Sequence, residues 1–502
     1  MSPEPVSSEQ TPRPDPAELA ELASHRHVVV IGGGVGGLIA ARECVKVGMR
    51  VTLLEASDAV GGAIRRAELD GVALDAGAES YATRGGHVRA LVTELGLADR
   101  IVTPAAGGAW VSGIPGVGAA PLPAGGILGI PSNPFQEDVR RVIGWSGVWR
   151  AYLDRVRPPL TIGHSHSLGK LVASRMGAKV RDRLVAPVTT GVYSASPDDV
   201  DVDVAAPGLN AALTSVGSLS GAVQALRDEG AARAAKAQTP GAAVEGLVGG
   251  MSVLADALVT DIEKLGGAVR TGVRVTSVSR GDDGWMLTTD AVGDETPDLA
   301  ELAADGIVVA TSEPVARELL GTAAPALAST ATATAPEIEI VTLLLRASAL
   351  SGAPRGTGVL TVPGSHTAKA LTHSTAKWEW VRQAAGDRHV VRVSFGAQGE
   401  PAATAALDDD AAARLALREA ADLLGVVLRD DDLVAAHRSR FVQAQPASLI
   451  GSGSRRDAAR AAVRAVPGLA AVGAWLAGTG LAQVVPDAVE EADRLRRALL
   501  WG

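Results

Sequence analysis

The reading of this 502-residue chain turns on one stretch, His27-Val-Val-Val-Ile31-Gly-Gly-Gly34-Val-Gly-Gly37-Leu-Ile-Ala-Ala-Arg-Glu-Cys44-Val-Lys-Val-Gly48. Its opening is β-branched at consecutive positions, as expected of a strand buried on both faces in a parallel sheet. Gly32, Gly34 and Gly37 follow in the order G-x-G-x-x-G, and a helical pattern then runs to Gly48. A second strand, Arg50–Leu54, ends on Glu55. Strand, glycine turn, helix and strand within about 30 residues make a βαβ unit. The glycines have distinct mechanical reasons: a tight turn, close backbone approach to a pyrophosphate, and tight helix–strand packing. The helix N-terminus offers free N–H groups and a positive dipole end to the phosphates. Glu55 stands 55 − 37 = 18 residues beyond the last glycine, close to the ~20 expected of an acid that accepts ribose hydroxyls. Its charge disfavours a 2′-phosphate. An adenine dinucleotide is therefore expected at Gly32, Gly33, Gly34, Gly36, Gly37, Glu55 and Ala56.

Composition narrows the rest. The 47 basic and 56 acidic side chains leave a net charge of −9, which argues against nucleic acid as an electrostatic partner. Aromatics are 3% of the chain, so the core must rest on Val, Leu, Ile and Ala. Arg supplies 40 of the 47 basic residues, which with the heavy use of Ala and Gly suggests a GC-rich bacterial genome. The single cysteine, Cys44, excludes an internal disulfide framework and a Cys-pair metal site. No apolar run reaches the ~18 residues of a membrane span, and the N-terminus has no apolar core. Residues 1–24, with five prolines, read as a disordered tail. A reducing, cytoplasmic setting is the expectation, with a peripheral position at the membrane left open.

The domain organisation follows from where strand and helix signals alternate. Residues 25–100 read as the first part of a dinucleotide-binding domain, 245–315 as the second and 436–502 as the third. Residues 101–244 read as a helical and substrate-binding region, and 316–435 as an antiparallel sheet. Within the last, Glu337–Arg346, Val359–Val362 and His389–Phe395 alternate in polarity, and a helix is expected near Asp408–Leu424. Residues 101–136 carry six prolines and no charged side chain. They suit either irregular chain packed on a neighbouring domain, or the wall of an apolar cavity or membrane-facing surface. The fold class is thus α/β: a doubly wound, Rossmann-like domain from three chain segments, a mixed-sheet substrate domain and a helical subdomain.

Beyond the first fingerprint, Gly61-Gly62-Ala-Ile-Arg65-Arg66 resembles the second fingerprint of the flavin amine-oxidase superfamily, in which the backbone turns around the FAD pyrophosphate and an Arg helps neutralise it. Further segments resemble the protoporphyrinogen/coproporphyrinogen oxidase family, and most of all its coproporphyrinogen III oxidase branch from Gram-positive bacteria. They are Leu74-Asp-Ala-Gly77-Ala-Glu-Ser80-Tyr81, Leu122-Pro-Ala-Gly-Gly, Gly129-Ile-Pro131, Ala186-Pro187-Val-Thr-Thr-Gly191-Val-Tyr193-Ser-Ala-Ser-Pro197, Leu247-Val-Gly-Gly250-Met-Ser-Val-Leu254, Ser374-Thr-Ala-Lys377-Trp378 and Gly473-Ala-Trp-Leu-Ala-Gly478-Thr-Gly480-Leu481. The resemblance implies FAD as cofactor and adds Gly62, Arg66, Gly77, Ala78, Glu79, Ser80, Val275, Phe441, Thr479, Gly480 and Leu481 to the cofactor contacts. It implies oxidation of coproporphyrinogen III to coproporphyrin III, with protoporphyrinogen IX as the alternative substrate, oxygen as electron acceptor and hydrogen peroxide as by-product, haem synthesis as the setting, and a transient contact with a ferrochelatase.

The chain departs from the family pattern in places. Where relatives carry Arg-Trp, Pro-Gln-Tyr and Gly-His, it reads Arg440-Phe441, Pro446-Ala447-Ser448 and Gly451-Ser452. The Lys that Gram-positive relatives often carry after the Ser-Phe segment is replaced by Arg84-Gly85-Gly86. Arg84 is the candidate propionate anchor, because it follows the segment expected to reach the flavin. No side chain is assigned as a catalytic base and no metal is expected; positioning over the flavin is expected to do most of the work. Two rival readings stand beside this one. The first is another enzyme of the superfamily: an amine oxidase, for which so few aromatics make an amine cage hard to build, or a carotenoid desaturase. The second is a tetrapyrrole-binding flavoprotein that has lost oxidase activity.

Overall fold

The computed structural model describes residues 16–156, 165–236, 243–291, 297–332, 335–442 and 449–501. The β-branched run His27–Ile31 lies in the middle of a five-stranded sheet. Its neighbours are Arg50–Leu54 on one side and Gly306–Val309 on the other, flanked by Ala268–Arg270 and Leu469–Ala471, and all four pairings are parallel. The sheet therefore draws strands from the start, the middle and the end of the chain. Val28, Val29 and Val30 are fully buried because helices cover one face and a three-stranded antiparallel sheet covers the other. The helices are Val35–Val45, Ser252–Lys264 and Leu481–Trp501. The small sheet is Val275–Gly281, Gly284–Thr289 and Glu301–Ala304.

A second, seven-stranded sheet runs in the order Leu433–Val442, Glu337–Leu345, His389–Phe395, Ala370–His373, Gly358–Thr361, Ala109–Ile114, Gly118–Pro121. Its alternation is the one read from the sequence, but it is not wholly antiparallel: Gly358–Thr361 pairs in parallel with Ala109–Ile114. That strand arrives from the Pro/Gly-rich segment, which forms short strands on the sheet edge. Leu433–Val442 extends this sheet past residue 435, where the flavin domain was expected to resume. Val341, Leu343, Leu371, Val391, Val393 and Phe395 point to one face, where the Asp409–Leu424 helix buries them. Helices Glu137–Tyr152, Leu168–Met176, Ala186–Tyr193, Leu209–Val216 and Leu219–Lys236 form a separate helical subdomain.

Two further points differ from the sequence reading or refine it. Of the tail expected over residues 1–24, residues 1–15 lie outside the described residues, and Pro16–His25 is a helix with Ala23 sealed into the core; the proline sits at the helix start, where its missing N–H costs nothing. Cys44 is buried, and burial pushes its thiol up to about 12, which makes it a packing residue. Among the described residues, no helix is long and apolar enough to cross a membrane.

Candidate active site

The glycine turn divides its roles more sharply than the motif suggests. A Cβ on Gly37 would lie 2.1 Å from the Gly32 carbonyl oxygen and 2.9 Å from Ala310 Cβ, so this glycine lets helix meet strand. Gly36 faces Val484 and the Gly473 backbone and serves helix packing. Gly32 holds φ +105 against Ala310, a conformation that side-chain-bearing residues avoid. A Cβ on Gly34 would meet nothing within 4 Å, leaving open space beside the first turn of the helix.

Gly33 N–H donates to Glu55 Oε2 at 2.6 Å, and Ser57 N–H donates to Oε1 at 2.8 Å. The Ser57 hydroxyl donates to the same Oε1; a carboxylate has about four acceptor sites, so Glu55 is locked in orientation while keeping capacity for one ribose hydroxyl. Ala56 follows it on the exposed loop. Val273 N–H bonds the Glu55 carbonyl, which brings Val275 to the same end of the sheet. The Gly61–Gly62 turn folds back over the first: Gly61 N–H donates to Gly33 O at 2.8 Å, and Gly62 holds φ +59. Arg66 pairs with Asp256 at 3.1 Å and lies along a cleft of about 690 Å³ that Ser57, Val60 and Ser252 also line.

The Gly77–Ser80 segment is clamped from the second sheet. Glu79 accepts from Lys377 Nζ at 2.6 Å, Ser374 Oγ at 3.1 Å and Arg392 at 3.1 Å. Arg392 also donates to the Ala76 and Gly77 carbonyls. Burial alone would raise the Glu79 carboxyl, but the Lys377 and Arg392 charges overcome it and hold the group down to about 2. This explains the Ser-x-x-Lys-Trp element: Ser374 and Lys377 grip one carboxylate, while Trp378 is buried against Gly246. A Cβ on Gly77 would lie 2.0 Å from the Ala63 carbonyl oxygen and 3.1 Å from Phe441 Cζ, so Phe441 abuts the same segment. At the far end Gly478 and Gly480 hold φ +108 and +96 ahead of the Leu481 helix. The buried Thr479 Oγ1 and Trp475 Nε1 have no partner among the described residues. Open space at Gly34, a ribose acceptor at Glu55 and an orphaned hydroxyl at Thr479 fit an extended dinucleotide.

The face of the seven-stranded sheet opposite the Asp409–Leu424 helix carries a row across five strands: Leu360, Ala370, Ser394, Ile340 and Ser439. The first four are partly exposed although they lie on inner strands. One end of this face meets the Glu79 clamp through Arg392. The other is closed by the Ala186–Tyr193 helix, where Gly191 packs against Leu360 and Ala370. This face, bounded by the Gly77–Ser80 segment at one end and the helical subdomain at the other, is the candidate floor of a substrate chamber. Arg84 is exposed on the turn after Tyr81–Ala82, with no hydrogen bond or ion pair among the described residues. Burial raises the Tyr193 hydroxyl and the Arg84 charge opposes it, so Arg84 lies near the helix end. The departures at Pro446, Ala447 and Ser448 lie outside the described residues, as does His164. Sequence reasoning missed Arg392 and Asp75. Arg392, a lone charge in the apolar strand His389–Phe395, was a readable sign of a buried ion pair.

A flavin-domain sheet joined to an open-faced mixed sheet is the architecture of FAD-dependent oxidoreductases, and comparison with known proteins agrees. The flavin-containing amine oxidoreductase family model matches residues 35–496. Coproporphyrinogen III oxidase of Mycobacterium leprae is 31% identical over 479 residues, covering 94% of this chain and 98% of that protein. The Bacillus subtilis enzyme of the same name is 24% identical over 481 residues, covering 93% and 96%. Among solved structures, a proposed protoporphyrinogen oxidase from Exiguobacterium sp. 255-15 superposes with a TM-score of 0.79 at 23% identity, over 94% of this chain and 99% of that one. The chain belongs to the flavin-containing amine oxidoreductase family and, within it, to the protoporphyrinogen/coproporphyrinogen oxidases. It is an FAD-dependent oxidoreductase.

Proposed function

We propose that the protein oxidises coproporphyrinogen III to coproporphyrin III in haem synthesis. Three oxygen molecules accept the six electrons and six protons and leave as three molecules of hydrogen peroxide. The observation that carries this reading is the partly exposed sheet face ending at the Glu79 clamp, which would floor a chamber beside the segment that would hold the flavin. The names of the relatives support the substrate class. FAD, when bound, would supply the two-electron chemistry that links oxidation of the ring to reduction of oxygen.

The chain's own residues position and shield. Gly34 and Gly62 admit the pyrophosphate, Arg66 supplies charge near it, and Val275, Thr479, Gly480 and Leu481 complete the cradle. Glu79 is held ionised by two cations, so at neutral pH its carboxylate fixes the Gly77–Ser80 backbone and takes up no proton. Pyrrole protons leave through water, and the rate rests on holding the ring against the flavin. Arg84 at the chamber mouth pairs with a propionate.

Purified yellow protein offered anaerobically prepared coproporphyrinogen III and protoporphyrinogen IX, separately and then with oxygen, tests this directly. Porphyrin fluorescence and peroxide are followed against a no-enzyme control. Faster porphyrin formation from coproporphyrinogen, with about three peroxides per ring, is the expected result. No rate above autoxidation with FAD fully bound overturns the oxidase reading and favours a flavoprotein that only binds tetrapyrroles.

A further inference from the structure

Lys369 precedes the Ala370–His373 strand and is 8% exposed. Its ammonium donates to Ser194 Oγ at 2.5 Å, and among the described residues it has no other hydrogen-bond partner and no carboxylate within ion-pair distance. Two other lysines, by contrast, meet carboxylates: Lys46 pairs with Glu43 and Glu94, and Lys377 with Glu79. An ammonium taken out of water and given one hydroxyl is a costly arrangement, because its remaining donors stay unsatisfied. Burial is the single cause that draws this group down, to about 7. An apolar side chain would serve packing better, so the charge asks for an anion that the chain itself does not provide.

Its position says which anion. Its partner Ser194 caps the Ala186–Tyr193 helix, at φ 56, and Gly191 of that helix packs against Leu360 and Ala370 of the partly exposed row. Arg84 acts on Tyr193, the neighbour of Ser194, from the flavin-domain side. Two cations on different elements thus converge on one end of the Ala186–Tyr193 helix. Building on the function proposed above, we propose that Lys369 and Ser194 form a carboxylate-binding subsite inside the chamber, which receives one propionate of the tetrapyrrole while Arg84 holds another. A substrate with four propionates fills both positions in more orientations than one with two, so the subsite favours coproporphyrinogen over protoporphyrinogen.

The test is equilibrium binding to the FAD-loaded protein, read by porphyrin fluorescence, with coproporphyrin III, its tetramethyl ester and protoporphyrin IX as probes. Lys369→Met is expected to weaken coproporphyrin III by about ten- to hundred-fold, leave the ester unchanged, retain FAD and melt no lower than wild type. Should Lys369→Met not fold, Lys369→Gln, which keeps a donor for Ser194, is read in the same assay. Equal weakening of acid and ester, or a fallen Tm, assigns Lys369 a structural part and overturns the subsite. Unchanged coproporphyrin affinity in the variant also overturns it, and leaves the porphyrinogen reading standing. A wild-type protein that binds none of the three probes overturns both.

Discussion

Removing the charge of Glu79 is the sharpest probe of how the two sheets are joined. Glu79→Gln keeps the shape but leaves Arg392 and Lys377, whose side chains are 7% and 19% exposed, facing a neutral amide. The carboxyl is held at about 2 against an ordinary 4.5, a shift worth about 3 kcal/mol, in line with the ~3–5 kcal/mol lost when one partner of a buried pair is removed. The sign follows from the depression: the contribution is complete above pH 4.5 and is lost as pH falls toward 2. At pH 3.5 the unfolded chain takes up the proton about ten times more often than not, which removes about 1.4 kcal/mol of the wild-type advantage. Urea unfolding of both proteins at pH 7 and pH 3.5, followed by far-UV circular dichroism and FAD fluorescence, measures the two gaps. A gap near 3 kcal/mol at neutral pH that shrinks by roughly half in acid supports the argument. A gap below ~0.5 kcal/mol at pH 7, typical of a surface pair, or one that does not narrow, refutes the claim that the charge fixes this segment.

Three further outcomes are expected. Gly34→Ala should fold with an apoprotein Tm within about 2 °C of wild type, because its Cβ meets nothing in the protein, yet lose FAD on gel filtration; Gly37→Ala, 2.1 Å from a carbonyl oxygen, should give little folded protein, and FAD retained by Gly34→Ala would refute the division of roles. Burial raises Asp75 to about 7 while it accepts the Met251 N–H at 2.7 Å; wild type should therefore lose stability as pH climbs from 4 to 8, and Asp75→Asn should be roughly 1–4 kcal/mol more stable at pH 8 and close to wild type at pH 4, with parallel urea curves speaking against it. Arg84→Ala should raise the Michaelis constant for coproporphyrinogen with flavin content unchanged, and unaltered kinetics would remove Arg84 from the site.

The βαβ unit was legible because its signals are local: a β-branched run, three spaced glycines and an acid lie within 29 residues, from Val28 to Glu55 and its neighbour Ala56. Alternation likewise marked Glu337–Leu345 and His389–Phe395 as strands. What escaped the reading depends on partners far away in sequence. Glu79 meets Lys377 and Arg392 across 298 and 313 residues, and nothing around Glu79 announces either. The parallel pairing of Gly358–Thr361 with Ala109–Ile114 is a register between distant segments, beyond what periodicity can specify. Pro16–His25 was hidden by composition, because the prolines upstream outweighed a short Ala/Leu pattern. Lys369 looked like any loop lysine, since burial is a property of the fold and not of the residue.

The flavin-domain sheet also sets a timetable for making the protein. Ile31 and Leu469 sit one strand apart, on either side of Gly306–Val309, but 469 − 31 = 438 residues separate them along the chain. At roughly 5–20 residues per second of synthesis, the first strand waits on the order of 20–90 s for the last one. Through that interval one edge of a sheet built from Val, Ile and Leu has no neighbour, the condition under which strands pair with the wrong partner. The Gly478–Thr479–Gly480 turn, which is proposed to complete the cofactor cradle, is made still later. Nascent chains of this protein should therefore depend on chaperones, and a late frameshift should abolish flavin binding as completely as damage to the glycine turn itself.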